Sequence, residues 1–115
     1  MKHYGWKQME QEQLNPRVGR RAIHGSNVTI ARLEIQEGAV VPEHSHVNEQ
    51  VTMVERGALK FSIEGQEQIV RAGEVLVIPP NAPHGVVALE DTVVVDLFAP
   101  AREDWIRGDD AYLRR

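Results

Sequence analysis

The sequence predicts an all-β fold, a single antiparallel sandwich or barrel, on three observations. Short segments alternate apolar and polar residues with a period of two, turn-forming residues interrupt them every eight to twelve positions, and helical periodicity is scarce. At 115 residues, with no long Pro, Gly or Ser run, the chain has the length of one domain with one core. Such a domain buries somewhat under about 70% of its unfolded surface, so pairing through a sheet as a homodimer is the expected assembly.

Taken in order, residues 1–15 are polar and glutamine-rich and form an arm whose conformation the pattern leaves open between edge strand, short helix and frayed chain. The expected barrel core covers residues 23–100. Residues 28–35 place Thr29, Ala31, Leu33 and Ile35 on one face against Ile30, Arg32 and Glu34 on the other. Residues 50–56 run to Gly57. Leu59, Phe61 and Ile63 alternate with Lys60, Ser62 and Glu64 before Gly65, and residues 66–71 run to Gly73, which reads as a meander of hairpins. Residues 75–78 are continuously apolar and stop at Pro79–Pro80, and residues 84–89 and 92–98 supply two more strands. The expected total is eight or nine strands, followed by a second arm, residues 103–115. Neither arm is expected to carry much chemistry.

Composition removes some classes of function. The 17 acidic and 13 basic residues are interspersed and leave a net charge of −4, with neither a concentrated basic face nor aromatic platforms for stacking bases. Nucleic acid is therefore not the expected partner. No apolar run approaches the roughly 20 residues that span a bilayer, and there is no cysteine, so a cytoplasmic protein without membrane attachment is expected.

Two histidines carry the first chemical signal. His44 and His46 are two apart, which on a strand aims both imidazoles from one face at one point, and imidazole is the commonest transition-metal ligand. With five histidines in the chain, that spacing alone is a moderate signal, since a pair of surface histidines would look the same. His3 and His24 have no partner at ligand spacing and read as surface or edge residues; Trp6 and Trp105 read as packing for the barrel ends.

The spacing extends further. Gly38, five residues, His44, one residue, His46, three residues, Gln50, six residues and Gly57 are followed by Gly73, five residues, Pro79, then Asn81 and His84. These two blocks resemble the two motifs of the cupin superfamily, with Gln50 in a slot usually held by Glu and Asn81 in one usually held by Gly. Asn is the next most willing residue to take a left-handed turn. The resemblance covers residues 23–100 and implies a jelly-roll β-barrel whose cavity holds one divalent metal ion on His44, His46, Gln50 and His84. The His/Gln set does not separate nickel, zinc, manganese and iron. A neutral Gln leaves the ion a stronger Lewis acid toward an anionic ligand than a Glu would.

Near the end of the barrel, Asp96 is the only charged residue in the run from Thr92 to Phe98, on the same face as Val94 and Phe98. A carboxylate there is hydrogen-bonded, ion-paired or functional, and burial would raise its pKa toward one useful for proton transfer. Arg102 follows beyond Pro100, where it could cover the mouth and bind a carboxylate, or simply pair with Asp96 and pin the last strand.

The segment Pro83–Glu90 and the run from Val95 to Trp105 also resemble the KdgF family of pectin degradation proteins, single-domain cupins that share the His, His, Gln, His set. That resemblance implies metal-dependent ring opening of 4,5-unsaturated uronate monosaccharides, with functional Asp, Phe and Arg at Asp96, Phe98 and Arg102. The expected partner is thus a small anionic sugar. Cupins of this size also include dioxygenases and non-catalytic modules that bind small acids or sugars, and fold alone does not choose among them.

Overall fold

The computed structural model describes residues 1–115, and two antiparallel sheets account for most of them. The strands are β1 (Glu12–Asn15), β2 (Val18–His24), β3 (Thr29–Ile35), β4 (Val40–His44), β5 (Glu49–Arg56), β6 (Ala58–Ile63), β7 (Gln66–Arg71), β8 (Val75–Ile78), β9 (His84–Ala88) and β10 (Thr92–Ala99). One sheet has the order β1-β2-β3-β10-β5-β8 and the other β4-β9-β6-β7. The sequence yields eight or nine strands where the fold has ten. β1 falls in the N-terminal arm, where the pattern leaves an edge strand as one of three conformations, and β2 is hidden by Arg20 and Arg21, which interrupt its apolar alternation and place a charged side chain on its inner face.

Period two does what it should elsewhere. In β3, Thr29, Ala31, Leu33 and Ile35 are buried while the residues between them are less so, and in β6 Leu59 and Phe61 point into the same interior. Both sheets turn these faces inward to make one core that also takes in Val41, Val54, Ile78, Val94 and Phe98. The Cα radius of gyration, 13.3 Å, is what one compact domain of this length gives.

Turn chemistry sets the positions of the ligand-bearing strands. Gly57 joins β5 to β6 with φ +91°, tight against Asp91 and Thr92, where a side chain would collide with backbone. Asn81 has φ +66°, the left-handed conformation expected of the residue in that slot, and its N–H donates to the His46 carbonyl at 2.8 Å. That bond ties the turn before β9 to the turn after β4. The two histidine-bearing segments are thereby fixed to each other.

Both arms are ordered. A 3-10 turn at Trp6–Gln8 lies over the outer side of the larger sheet beside Arg21, Arg32, Glu34 and Glu55, so Trp6 does not pack a barrel end. The C-terminal arm forms a short helix α1 (Glu103–Ile106) and a 3-10 turn at Ala111–Leu113. It folds back across the barrel mouth with Trp105 and Leu113 buried in the core, so Trp105 does pack an end.

Candidate metal centre

His44 closes β4, His46 lies two residues beyond it, and His84 opens β9, directly paired with His44. One ring nitrogen from each lies within 4.8 Å of the others, and the ring centroids are 4.3 to 5.8 Å apart. Which nitrogens face the centre follows from the other side of each ring. Nδ1 of His44 meets the Pro42 carbonyl at 2.8 Å, that of His46 the Asn48 carbonyl at 3.0 Å, and that of His84 the Ala82 carbonyl at 2.8 Å. A carbonyl only accepts, so each Nδ1 carries the proton and each neutral ring presents its Nε2 lone pair. The rings are held neutral. Burial, helped by the Arg102 charge and opposed by the bonds to the backbone carbonyls, lowers His44 and His46 to about 4 and lowers His84 as well.

His84 Nε2 is buried with no hydrogen-bond partner. An orphaned buried acceptor costs roughly 1–3 kcal/mol, and a cation bound to it removes that cost. The donor set therefore fits a divalent transition metal: three neutral imidazoles, each oriented by a backbone carbonyl.

Gln50 sits at 6% exposure on β5, and a chain of donors fixes its orientation. Its Nε2 donates to Thr52 Oγ1 at 2.9 Å, and the Thr52 hydroxyl donates to Asp96 Oδ1 at 2.7 Å. The amide oxygen is thus turned the other way, to 3.1 Å from His46 Nε2. With the His46 proton on Nδ1, two lone pairs face each other across that gap. The arrangement is favourable only when both point at a common cation or donor, which fits Gln50 Oε1 as a further ligand.

Asp96 is half-buried and lines the cavity together with Gln50, His44 and His84. Desolvation raises its pKa to about 6, against smaller lowering by its bonds to Thr52 and Gln50 and by the Arg102 charge. The expected alternative, an Asp96–Arg102 pair pinning the last strand, is not what forms. Arg102 is 1% exposed and binds Asp104 through two bonds, Nε to Oδ1 at 2.9 Å and Nη2 to Oδ2 at 2.7 Å. Asp104 lies two residues away on α1 and reaches the guanidinium first, leaving Asp96 to Thr52. Thr29 Oγ1 accepts from the Arg102 backbone N–H at 2.9 Å, which anchors the arginine to β3.

Phe98 is 2% exposed and packs edge-on against His46 and Trp105, with the Arg102 guanidinium 4.7 Å above its ring. It supports the histidine and the arginine at once. The sequence gives no signal for two neighbours of this site. Thr52 is invisible because its role depends on strand register, β5 Thr52 facing β10 Asp96. Tyr112 comes from the arm that was expected to carry little chemistry, and its ring lies 4.5 Å from that of His44. Hydrophobic anchoring explains the arm: Trp105 and Leu113 enter the core and carry Tyr112 to the mouth. The space left between these side chains is about 50 Å³.

A barrel of this topology with its ligand-bearing residues at the mouth defines a class, and the comparison agrees: the chain belongs to the cupin family, whose domain model matches residues 31–99. It is 31% identical over 98 residues to the pectin degradation protein KdgF of Dickeya dadantii (strain 3937), covering 83% of this chain and 89% of that protein. Among solved structures, KdgF from Halomonas sp. superposes with a TM-score of 0.85 at 29% identity, covering 91% of this chain and 98% of the other. An RmlC-like cupin from Shewanella frigidimarina NCIMB 400 gives 0.84 at 26% identity over 91% and 96% of the two chains.

Proposed function

We propose that this protein opens the ring of 4,5-unsaturated uronate monosaccharides, of the kind released by pectin or alginate breakdown, to the linear 4-deoxy-5-keto uronate. The similarity to KdgF, a protein named for pectin degradation, supports the substrate class. The observation that carries the chemistry is the chain Gln50–Thr52–Asp96, which sets a carboxyl group titrating near 6 beside a cluster of neutral imidazoles.

His44, His46, His84 and Gln50 would hold a divalent ion, which supplies Lewis-acid stabilisation of negative charge developing on substrate oxygens. The substrate is a cyclic hemiacetal whose ring oxygen is also part of an enol ether. Asp96, ionised near neutrality, takes the proton from the anomeric hydroxyl. The anomeric C=O forms as the bond to the ring oxygen breaks, and the electron pair passes to that oxygen as an enolate. Protonation at carbon 4 then gives the 5-keto product, so atoms and charge balance and the overall change is an isomerisation. Arg102 offers positive charge to the sugar carboxylate, while Phe98 keeps Arg102 and His46 in place and excludes water.

Loss of the ultraviolet absorbance of freshly generated 4,5-unsaturated galacturonate tests this. Wild-type protein is expected to accelerate the loss over the spontaneous rate, and chelator-treated protein and Asp96→Asn are expected to fall back by about 100-fold or more. Equal rates for wild type and buffer would overturn the reading and leave a cupin that binds without this reaction.

A further inference from the structure

Tyr112 is the one hydroxyl-bearing side chain that the C-terminal arm brings to the mouth of the site, and its hydrogen bonds leave one group unspent. Its oxygen receives Arg102 Nη2–H at 2.8 Å and Trp105 Nε1–H at 3.3 Å. Guanidinium and indole nitrogens only donate, so both phenol lone pairs are in use and the phenol O–H is left without a protein acceptor. The ring, 4.5 Å from His44, holds that hydroxyl beside the candidate metal centre, and both side chains line the same cavity. Arg102 has a matching surplus. Its bonds to Asp104 and Tyr112 use Nε and Nη2, and Nη1 makes none to the protein.

We propose that Tyr112 is a substrate-binding residue, donating its phenol O–H to the carboxylate of the sugar acid alongside Arg102 Nη1. This rests on the uronate reading above. Two unspent donors on adjoining groups suit an anion with two acceptor oxygens, and the guanidinium bonded to the phenol oxygen strengthens the phenol as a donor. A neutral sugar would gain much less from the pair. Trp105, Tyr112 and Leu113 of the arm line the free space of about 50 Å³, so a sugar that docks there meets Tyr112. The arm thereby becomes part of the binding site.

Calorimetric titration with saturated galacturonate, a uronate that lacks the reactive double bond, tests this on metal-loaded full-length protein. Tyr112→Phe keeps the ring against His44 and removes the hydroxyl, both its O–H donor and the oxygen that accepts from Arg102 and Trp105. It is expected to weaken galacturonate binding roughly tenfold. In turnover of the unsaturated substrate it should raise KM more than it lowers kcat, with metal affinity unchanged and a melting temperature lowered only by the loss of the acceptor for Arg102 and Trp105. Tyr112→Leu, which also loses the ring, should weaken binding at least as much. Equal galacturonate affinity for wild type and Tyr112→Phe would overturn the role of Tyr112 and leave the uronate reading standing. Absence of galacturonate binding by wild type would overturn the uronate reading itself.

Discussion

Thr52 is fully buried and joins the candidate metal centre to Asp96, so its hydroxyl can be tested through the metal alone. Thr52→Val keeps the shape and frees the Gln50 amide to turn its oxygen away from His46. Metal affinity, measured by titration of the stripped protein, is expected to fall about tenfold, and Thr52→Ser is expected to restore it. Acidity supplies a second prediction. His44 and His46 are neutral in the folded state down to about 4, below the ordinary histidine value of 6.5, so between those values the unfolded chain binds more protons and stability falls as pH falls. Asp96 acts oppositely: its raised value means that the folded state holds a proton between 3.8 and about 6, so its contribution is lost as pH rises through that window. Two imidazoles outweigh one carboxyl. Urea unfolding of metal-free protein should therefore show lower stability at pH 5 than at pH 7. Of these residues, His44 and His46 stand out by their spacing on one strand and Asp96 by its place in an apolar run, while Gln50 and His84 are picked out only by the resemblance to the two cupin motifs. Thr52, Asp104 and Tyr112 were not legible, since each acts through a contact that exists only after strands register or the arm folds back.

At the scale of elements, β2 and the C-terminal arm hold each other. Arg20 points inward at 4% exposure, lies 4.4 Å from the centre of the Trp105 ring and bonds Asp110 at 2.8 Å. Asp110 also receives Arg114, which reaches Glu12 on β1. This network explains why both ends of the chain were harder to read than its middle. In strands such as β3 and β5 buried and exposed side chains alternate, and period two with glycine turns is enough to find them. β2 and the arm bury charged residues whose partners lie 90 positions apart, so taken singly each looks solvated. Asp110→Ala leaves the Arg20 guanidinium buried with only Glu12, itself half exposed, as counter-charge. It is expected to destabilise the fold by about 3 kcal/mol in chemical denaturation, whereas Asp109→Ala, on the exposed side of the same turn, should be close to neutral.

The whole molecule shows one broad apolar surface, on the outside of the six-stranded sheet. Cross-strand register aligns Val77, Val51, Leu97, Ile30 and Ile23 in one row, and Val75, Met53 and the buried Val95 in the next before Arg32 and Arg21. Val75 and Val77 on the edge strand are 60% and 55% exposed. A face of this kind is rarely left to solvent, and a second copy of the chain covering it agrees with the small single core. Light scattering is expected to give about twice the 13.0 kDa chain mass at micromolar concentration, and Val51→Glu, in the middle of the row, to give the single-chain mass. Unchanged mass in that variant would place the contact elsewhere.

The inward-folded arm also decides how the molecule can be handled. Leu113 is buried and Tyr112 lines the cavity, so the chain just past Leu113 runs beside the mouth. A polyhistidine affinity tag attached there would hang spare imidazoles at the opening, where they would compete for the ion and crowd the phenol. The N-terminal segment is placed otherwise: Met1 is fully exposed, and Gly5–Gln8 lie beside Arg21, Arg32, Glu34 and Glu55, none of which lines the cavity.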